Sequence, residues 1–375
     1  MGHVGVKLIL EGRPDLGRPS SPLLQTASYR DLCDPDFWRR QNAAGILLYG
    51  GYARCMPPVA RAIHATGIPL ALKMDDAIGL VRFPRNASAY FWRHYWKSRQ
   101  AHSPFRSLAW ALLRLTVWPV CSRKEFLVSY LDLFDTVLGE SKLCIDNTRD
   151  FLLWANRPDL ADHLAVMPHP VLNEFTFGSN NPPKRNVILA IAQNWRNPLK
   201  RGRLLGRTLE RLLHGHPEWR TLVIGGDSDL VVQETGACRN RIDVMPVVEP
   251  EELLPLYRSA KILIITSGAE GFPLVGIEAL CCGCSVVFPP ELPALAELVE
   301  ARSATLAARS SPVEMAEALS GECRAWETGL RDPVAIARRF GDAGHVHPSM
   351  KRLVALFAAA RYDKGHPFAP TRPFC

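Results

Sequence analysis

The chain has 375 residues, of which 47% are apolar and 22% are charged, the ordinary balance of a folded globular protein. This composition excludes a wholly disordered chain, a collagen-like fibre and a small disulfide-stapled domain, and the length suits two or three domains. The formal net charge of +8 is mild, so only its distribution along the chain can point to a partner.

In the first half, short apolar runs alternate with helical patterns. Strands are predicted at Val4–Leu10, Gly45–Tyr49, Pro69–Lys73 and Thr136–Leu138. A helix over Pro57–Thr66, ended by Gly67, lies between two of them. A strand–helix–strand order is typical of a parallel α/β sheet.

The pattern restarts after residues 177–185, a segment rich in Gly, Asn and Pro. The strands predicted beyond it are Asn186–Ala192, Arg220–Ile224, Ile242–Met245, Lys261–Thr266 and Ser285–Phe288. The helices predicted there are Arg203–His214, Glu251–Ser259 and Pro273–Cys282. Ligands of open α/β sheets bind beyond the carboxyl ends of the strands, so we expect binding in a cleft between two halves.

These patterns predict a division of the chain into five parts. Residues 1–176 and 186–340 would form two α/β domains joined by the linker 177–185. A C-terminal helix over 341–362 would pack back on the first domain, and residues 363–375 would form a flexible tail with three prolines.

The cysteines and the N-terminal segment bear on where the protein works. The ten cysteines show no disulfide framework, and the crowded group at 281–284 has no second Cys or His pair at zinc spacing. Val4–Leu10 is too short for a secretory signal, and no stretch long enough to span a bilayer is free of charge. We expect a cytoplasmic protein, with peripheral attachment to the inner face of the membrane as an open alternative.

The most informative stretch is Ile262–Phe288, a buried strand followed by a small polar loop and a helix that begins near Pro273. The amides at the helix start and the positive end of its dipole form a site suited to a diphosphate or to sugar hydroxyls. Glu270 on the loop and Glu278 on the helix flank this start, and a carboxylate can accept two hydrogen bonds from vicinal hydroxyls. The plain alternative is that both are solvated carboxylates.

This stretch resembles retaining glycosyltransferases with the GT-B fold, family 4 or group 1 type. Glu270 and Glu278 form the E-x7-E spacing within E-G-F-P-L-V-x-I-E-A-L-x-x-G-C-x-V-V. Residues 191–202, 222–226 and 242–257 are also similar to that family, and the likeness is weaker in the first half. The resemblance implies two Rossmann-like, doubly wound parallel-sheet domains that face a central cleft.

The resemblance also implies site residues in the second domain. Glu278 would bind the ribose of a nucleotide-diphosphate sugar, and Glu270 the transferred sugar. The backbone at the helix start would bind the sugar and phosphates, through Gly271, Phe272, Pro273 and Leu274. The implied reaction keeps the anomeric configuration and uses the nucleotide-sugar donor as co-substrate, without a further cofactor.

Positive charge is needed where the nucleoside diphosphate leaves, because negative charge grows on it as the glycosidic bond breaks. Arg196, Lys200 and Arg201 follow a strand of the same domain and are the candidates. Lys-Arg-Gly at 200–202 replaces the family's Lys-Gly, so the Lys role is open between Lys200 and Arg201. Asp227 and Asp229 could hold a divalent metal, but such residues are also common in surface turns, and we expect no metal.

The sequence gives weaker signals for the residues that would bind the acceptor than for those that would bind the donor. Asp75 and Asp76 follow a strand of the first domain and could bind or deprotonate an acceptor hydroxyl, or cap the following segment. His169 lies between two prolines near the predicted crossing, as a loop residue or as part of the cleft.

The positive excess is concentrated in residues 77–124. That region has nine Lys and Arg residues and no Asp or Glu, whereas the rest of the chain has 36 basic and 37 acidic residues. Its nine aromatic residues could lie with the cations on an anionic membrane, next to a lipid-linked acceptor. They could instead pack inward; single-stranded nucleic acid is the least favoured partner.

The favoured function is therefore a glycosyltransferase that acts on a glycan or lipid-linked acceptor. An epimerase or phosphorylase of the same fold is one alternative. The other is a non-enzymatic basic protein with a degenerate donor site, against which the intact Glu270, Glu278 and Arg196 argue.

Overall fold

The computed structural model describes residues 8–11, 24–49, 55–74, 80, 87–99, 101–115, 123–178, 180–181, 183–270, 273–292, 295, 302–344 and 346–363. Asp75, Asp76, Gly271 and Phe272 lie outside the described residues, as do most of the predicted strand Val4–Leu10 and nearly all of the predicted tail. Every sheet in the described part of the chain is parallel, which agrees with the α/β class expected from the sequence.

The first half contributes two of these sheets. Its strands are β1 (Leu8–Glu11), β2 (Leu24–Ala27), β3 (Ile46–Tyr49), β4 (Leu70–Lys73), β5 (Thr136–Gly139) and β6 (Leu164–Val166). Strands β3 to β6 pair in chain order, and β1 pairs with β2 in a separate sheet. All residues of β4 and β5 are buried, so both faces of that sheet are covered, as expected for continuous apolar strands.

Eight helices are described in the first half. They are α1 (Tyr29–Leu32), α2 (Pro35–Arg40), α3 (Met56–His64), α4 (Ala87–Arg99), α5 (Pro104–Arg114), α6 (Lys124–Leu131), α7 (Lys142–Trp154) and α8 (Pro158–Ala161). Helices α4 and α5 pack against each other as a hairpin inside the basic region 77–124.

The second half forms a six-stranded sheet. Its strands are β7 (Arg185–Asn194), β8 (Arg220–Gly226), β9 (Ile242–Met245), β10 (Ala260–Ile264), β11 (Ser285–Phe288) and β12 (Ala304–Leu306). They lie in the order β12-β11-β10-β7-β8-β9, which is the order of a Rossmann sheet read from its far edge. The winding reverses between β7 and β10, so this pair marks the switch point at which such sheets bind ligands.

The helices of the second half follow the strands. They are α9 (Gly202–Gly215), α10 (Asp229–Val232), α11 (Pro250–Ser259), α12 (Leu274–Cys281), α13 (Pro312–Glu327), α14 (Pro333–Gly344) and α15 (Val346–Asp363), with a 3-10 helix at Gly236–Arg241. Helix α9 buries leucines at helical spacing, whereas Arg203 and Arg207 extend outward and pair with Glu234. These two arginines thus lie on the solvated face of α9.

Two segments cross between the halves. Val171 and Phe175 belong to the core of the second half, although they precede the predicted linker. Near the C-terminus, Leu353 of α15 packs with Ala71 and Leu138 of the four-stranded sheet. The domain limits 1–176 and 186–340 stay predictions. No helix within the described ranges combines the length and the apolar composition needed to cross a bilayer.

Candidate active site

The loops that follow β7 and β10 are joined by hydrogen bonds at the switch point. The Gly268 N–H donates to the Leu199 carbonyl (2.8 Å), and the Thr266 hydroxyl donates to the Lys200 carbonyl (2.8 Å). The two loops are neighbours because β7 and β10 are paired, even though about seventy residues separate them along the chain. Residues of both loops can therefore meet one ligand.

Lys200 and Glu270 form an ion pair across these loops. The Lys200 Nζ lies 2.5 Å from the Glu270 Oε1, and both side chains are partly exposed. A partly exposed ammonium can exchange its carboxylate for a phosphate oxygen when an anionic ligand arrives. The pair thus brings together two residues that the sequence predicted for the same site.

Arg201 is engaged inside the protein. Its guanidinium donates to the carbonyls of Thr266 (2.6 Å) and Ser267 (2.9 Å) and pairs with Glu291 (3.0 Å). Only 7% of the Arg201 side chain is exposed, against 26% for Lys200. Burial lowers the pKa of this guanidinium, and the Glu291 carboxylate opposes that shift. The contacts of Arg201 therefore hold the loop after β10, whereas Lys200 remains accessible.

Arg196 lies on the β8 side of the switch point. Its exposed guanidinium is 3.1 Å from the Asp227 Oδ1, and the Asn194 amide donates to the other Asp227 oxygen (2.8 Å). Both oxygens of Asp227 are thus engaged by side chains. Among the described residues, a group of three potential metal ligands at suitable distances is found elsewhere, at His216, Glu218 and Glu327, and two of these three are exposed.

Glu278 lies on α12 against a buried tyrosine. The fully buried Tyr257 donates its hydroxyl to the Glu278 Oε2 (3.0 Å). Burial raises the pKa of the Glu278 carboxyl, and the hydrogen bond from Tyr257 partly opposes this. Within the described part of the chain, the other oxygen, Oε1, has no hydrogen-bond partner. Tyr257 thus fixes one carboxylate oxygen, and a second acceptor remains for a ligand.

Among the described residues, no side chain caps the start of α12. Pro273 occupies the cap position, has no side-chain acceptor and is buried, whereas Leu274 is half exposed. No side chain in the described part of the chain therefore satisfies the first amides of α12, which agrees with the anion site predicted from the sequence. The preceding Gly271 and Phe272 lie outside the described residues, so their contribution stays a prediction.

A second polar cluster lies at the carboxyl ends of the four-stranded sheet. Each strand contributes one residue: Tyr49 ends β3, Lys73 ends β4, Glu140 follows β5 and His169 follows β6. The His169 Nε2 contacts the Glu140 Oε1 and lies 3.1 Å from the Tyr49 hydroxyl, and the Lys73 Nζ is 3.7 Å from the same Glu140 oxygen. Lys73 and Glu140 are buried and Tyr49 is exposed, so the cluster extends from the core to the surface.

This cluster was only partly foreseen. The sequence allows His169 to be either a loop residue or part of the cleft, and the structure places it in contact with titratable groups of neighbouring strands. The sequence analysis does not single out Tyr49 or Glu140, although Tyr49 ends a predicted strand and Glu140 lies two residues after another. Asp75 and Asp76 lie just beyond Lys73, outside the described residues, and their acceptor role stays a prediction.

The geometry at the switch point agrees with the comparisons to known proteins. Residues 185–321 match the family model of group 1 glycosyl transferases. This segment spans β7 to α13 and contains Arg196, Lys200, Glu270 and Glu278.

Curated relatives are similar over short stretches. The chain is 37% identical over 99 residues to the D-inositol 3-phosphate glycosyltransferase of Mycobacteroides abscessus, which is 24% of this chain and 21% of that protein. It is 33% identical over 153 residues to D-inositol 3-phosphate glycosyltransferase 2 of Catenulispora acidiphila, which is 37% of this chain and 35% of that protein. The chain thus spans well under half of either relative.

The fold likeness extends over nearly the whole chain. HepE of Anabaena, solved in complex with UDP, superposes with a TM-score of 0.59 at 14% identity and covers 90% of this chain and 86% of that one. At this identity the likeness concerns the fold alone. It confirms the expected GT-B fold, with two Rossmann-like parallel-sheet domains.

The hairpin of α4 and α5 contacts residues 185–321, the segment that matches the family model, beside the switch point. Trp96 of α4 lies over Gly268, where an added Cβ would come within 2.2 Å of the indole. The Arg201 guanidinium also lies 5.5 Å from the centre of the Trp96 ring. One aromatic residue of the basic region therefore packs inward, against the loop that carries Glu270.

Proposed function

We propose that this protein is a glycosyltransferase that moves a sugar from a nucleotide-diphosphate sugar to an acceptor hydroxyl. The observation that carries the proposal is the contact between Lys200 and Glu270 at the switch point of a Rossmann-ordered sheet. Its setting supports this, because the surrounding segment matches the group 1 glycosyl transferase model. Retention of configuration, as in family 4, is part of the same proposal.

Each donor-site residue has a role that its surroundings favour. Glu278 accepts hydrogen bonds from the ribose hydroxyls, with its other oxygen held by Tyr257. Lys200 exchanges Glu270 for the diphosphate and stabilises the charge that grows on the leaving group. Glu270, released from the ion pair, accepts hydrogen bonds from the transferred sugar.

The remaining predicted residues support these three. The amides at the start of α12, near Leu274, meet the sugar and phosphates together with the helix dipole. Arg196 adds an exposed cation at the β8 side, and Arg201 holds the loop rather than the ligand. Because Asp227 is engaged by Arg196 and Asn194, we propose that the diphosphate is neutralised by these cations without a metal.

The acceptor is proposed to bind at the polar cluster of the first half, near Asp75 and Asp76. Ligands of this sheet are also expected beyond the carboxyl ends of its strands, and the exposed Tyr49 makes the cluster accessible to a ligand. A glycan or a lipid-linked hydroxyl compound fits this proposal, with the basic region 77–124 towards an anionic membrane on the cytoplasmic side.

A panel of nucleotide sugars in a thermal-shift assay tests the function. A donor at a hundred times its Kd stabilises the folded state by about 2.7 kcal/mol, which shifts the melting temperature by several degrees. We expect one nucleotide class to stabilise the protein equally with and without EDTA, and to be hydrolysed slowly at the sugar–phosphate bond. No shift with any nucleotide sugar would refute the proposal, and conversion of the sugar without release of the nucleotide would favour the epimerase alternative.

A further inference from the structure

Helix α5 presents its large apolar side chains to solvent. The residues it buries are small, Ser107 and Ala111. Its large apolar residues are exposed: Phe105, Leu108, Trp110, Leu112 and Leu113. A surface helix of a soluble protein ordinarily buries its apolar side and exposes its polar side. In α5 the arrangement is reversed, because the small residues let it pack closely on the protein while the large ones point away.

The exposed apolar surface is framed by positive charge. Residues 87–114 contain no Asp or Glu, Arg106 is exposed on α5 itself, and Lys97 is exposed on α4. The Arg114 guanidinium lies 4.6 Å from the centre of the Trp110 ring, so one cation is already held over an exposed aromatic. Trp92 of α4 is a further exposed aromatic residue of the hairpin. Such a surface is complementary to a partner that is apolar inside and anionic outside.

We propose that the α4–α5 hairpin docks on an anionic lipid bilayer, with the exposed side of α5 at the boundary between headgroups and acyl chains. An amphipathic helix with aromatic and leucine side chains on one side and cations around them binds membranes in this way. Leucines at 108, 112 and 113 suit acyl chains, whereas a nucleic-acid surface would need base-stacking rings and polar contacts at those positions. The proposal concerns lipid binding and does not depend on the transferase activity.

The contact of α4 with the second half gives the docking a consequence. Trp96 of α4 packs on Gly268, in the loop that carries Glu270, and α5 packs on α4, so the hairpin connects the exposed side of α5 to the candidate donor site. A bilayer bound to α5 would therefore lie next to the site, within reach of a lipid-linked acceptor. This consequence rests on the proposed function, whereas the docking itself does not.

Vesicle co-sedimentation with the full chain tests the docking. Phosphatidylcholine vesicles are compared with vesicles of equal parts phosphatidylcholine and phosphatidylglycerol, at low and high salt. We expect binding to the anionic vesicles that weakens with salt, since screening reduces the attraction of the basic residues. The double variant Phe105→Ser/Leu112→Ser should lower the partition at least about tenfold, because it removes two large inserting side chains.

A matched control separates docking from general surface apolarity. Leu153 on α7 is 51% exposed, close to the 53% of Leu112, so Leu153→Ser should leave lipid binding unchanged. Arg106→Glu, an exposed position, should weaken binding to anionic vesicles at least about fivefold and serves if the double variant fails to fold. Equal failure on both vesicle types, equal loss in Leu153→Ser, or binding of single-stranded oligonucleotide in place of vesicles would overturn the proposal.

Discussion

The substitution Glu278→Gln should weaken donor binding while it stabilises the fold. A glutamine has the same shape, and its amide oxygen can still accept the hydrogen bond from Tyr257. It removes only the negative charge. The two effects can therefore be measured in one variant with little repacking.

The loss of affinity follows from the hydrogen bonds to ribose. A bond to a charged group contributes roughly 1.5–3 kcal/mol, and a neutral one about 0.5–1.5 kcal/mol. Two ribose hydroxyls then lose about 2–3 kcal/mol together, which corresponds to a Kd about 30 to 150 times higher. Calorimetric titration with the nucleoside diphosphate found in the donor panel measures this ratio.

The gain in stability follows from the direction of the pKa shift. Burial raises the pKa of Glu278 in the folded state, so the folded protein holds this proton more tightly than the unfolded chain does. The free energy of unfolding therefore falls as the pH rises through that range, and the ionised carboxylate costs stability at neutral pH. Glutamine should raise the free energy of unfolding by on the order of 1 kcal/mol at neutral pH, and by less in acid.

Urea unfolding gives this second quantity, and Glu317→Gln on α13 is the control because Glu317 is an exposed glutamate of the same domain, away from the first turn of its helix. The control should change neither the affinity nor the stability. An unchanged Kd in folded Glu278→Gln would refute the ribose contact. Lower affinity together with lower stability would mean that Glu278 acts through the fold and not through the donor.

Three further predictions separate the roles at the switch point. Lys200→Met should lower kcat by about a hundredfold and change KM much less, since the leaving-group charge is largest in the transition state. An equal effect on kcat and KM would mean that Lys200 binds the ground state and the transition state equally well. Arg201→Met should instead destabilise the fold by about 3–5 kcal/mol, measured by urea unfolding, because it leaves the Glu291 carboxylate buried without its cation. Normal stability together with lost activity would mean that Arg201 binds the donor. Donor affinity, measured by calorimetry across pH, should fall as the pH drops through the raised pKa of Glu278, because protonation removes a hydrogen-bond acceptor. The same pH dependence of affinity in Glu278→Gln would mean that another group titrates.

Five strands of the second half, β7 to β11, were predictable because each is a short, mainly apolar run between turn signals. Ile242–Met245 was predicted with the bounds that β9 has, and Ser285–Phe288 with those of β11. The strands β2, β6 and β12 were not predicted. The strands β6 and β12 have only three residues, and β2 has Gln25 and Thr26 at its centre, so none of them forms an apolar run that stands out.

The choice between Lys200 and Arg201 could not be made from the sequence. Adjacent residues share their neighbourhood along the chain, and only the backbone decides which one points inward. Arg201 has a φ of 53°, in the left-handed region, where the chain turns into α9. That turn directs the Arg201 side chain into the protein, against the carbonyls of the loop after β10, whereas Lys200 stays partly exposed.

The exposed side of α5 was equally beyond the sequence. A periodic pattern tells which residues share a face of a helix, but not which face meets the protein. The rule that apolar faces turn inward would have given the wrong orientation here. The basic and aromatic composition leaves a membrane surface and inward packing open, and only the structure separates the inward Trp96 from the exposed Trp92 and Trp110.

Hydrogen exchange of the full chain with and without the bound donor tests the location of the site most directly. The account predicts protection, in the presence of EDTA, at residues 195–202, at residues 266–270 and at the start of α12. These segments contain Lys200, Glu270 and the uncapped amides of the helix. Protection confined to the four-stranded sheet of the first half, or a requirement for a divalent metal, would contradict it.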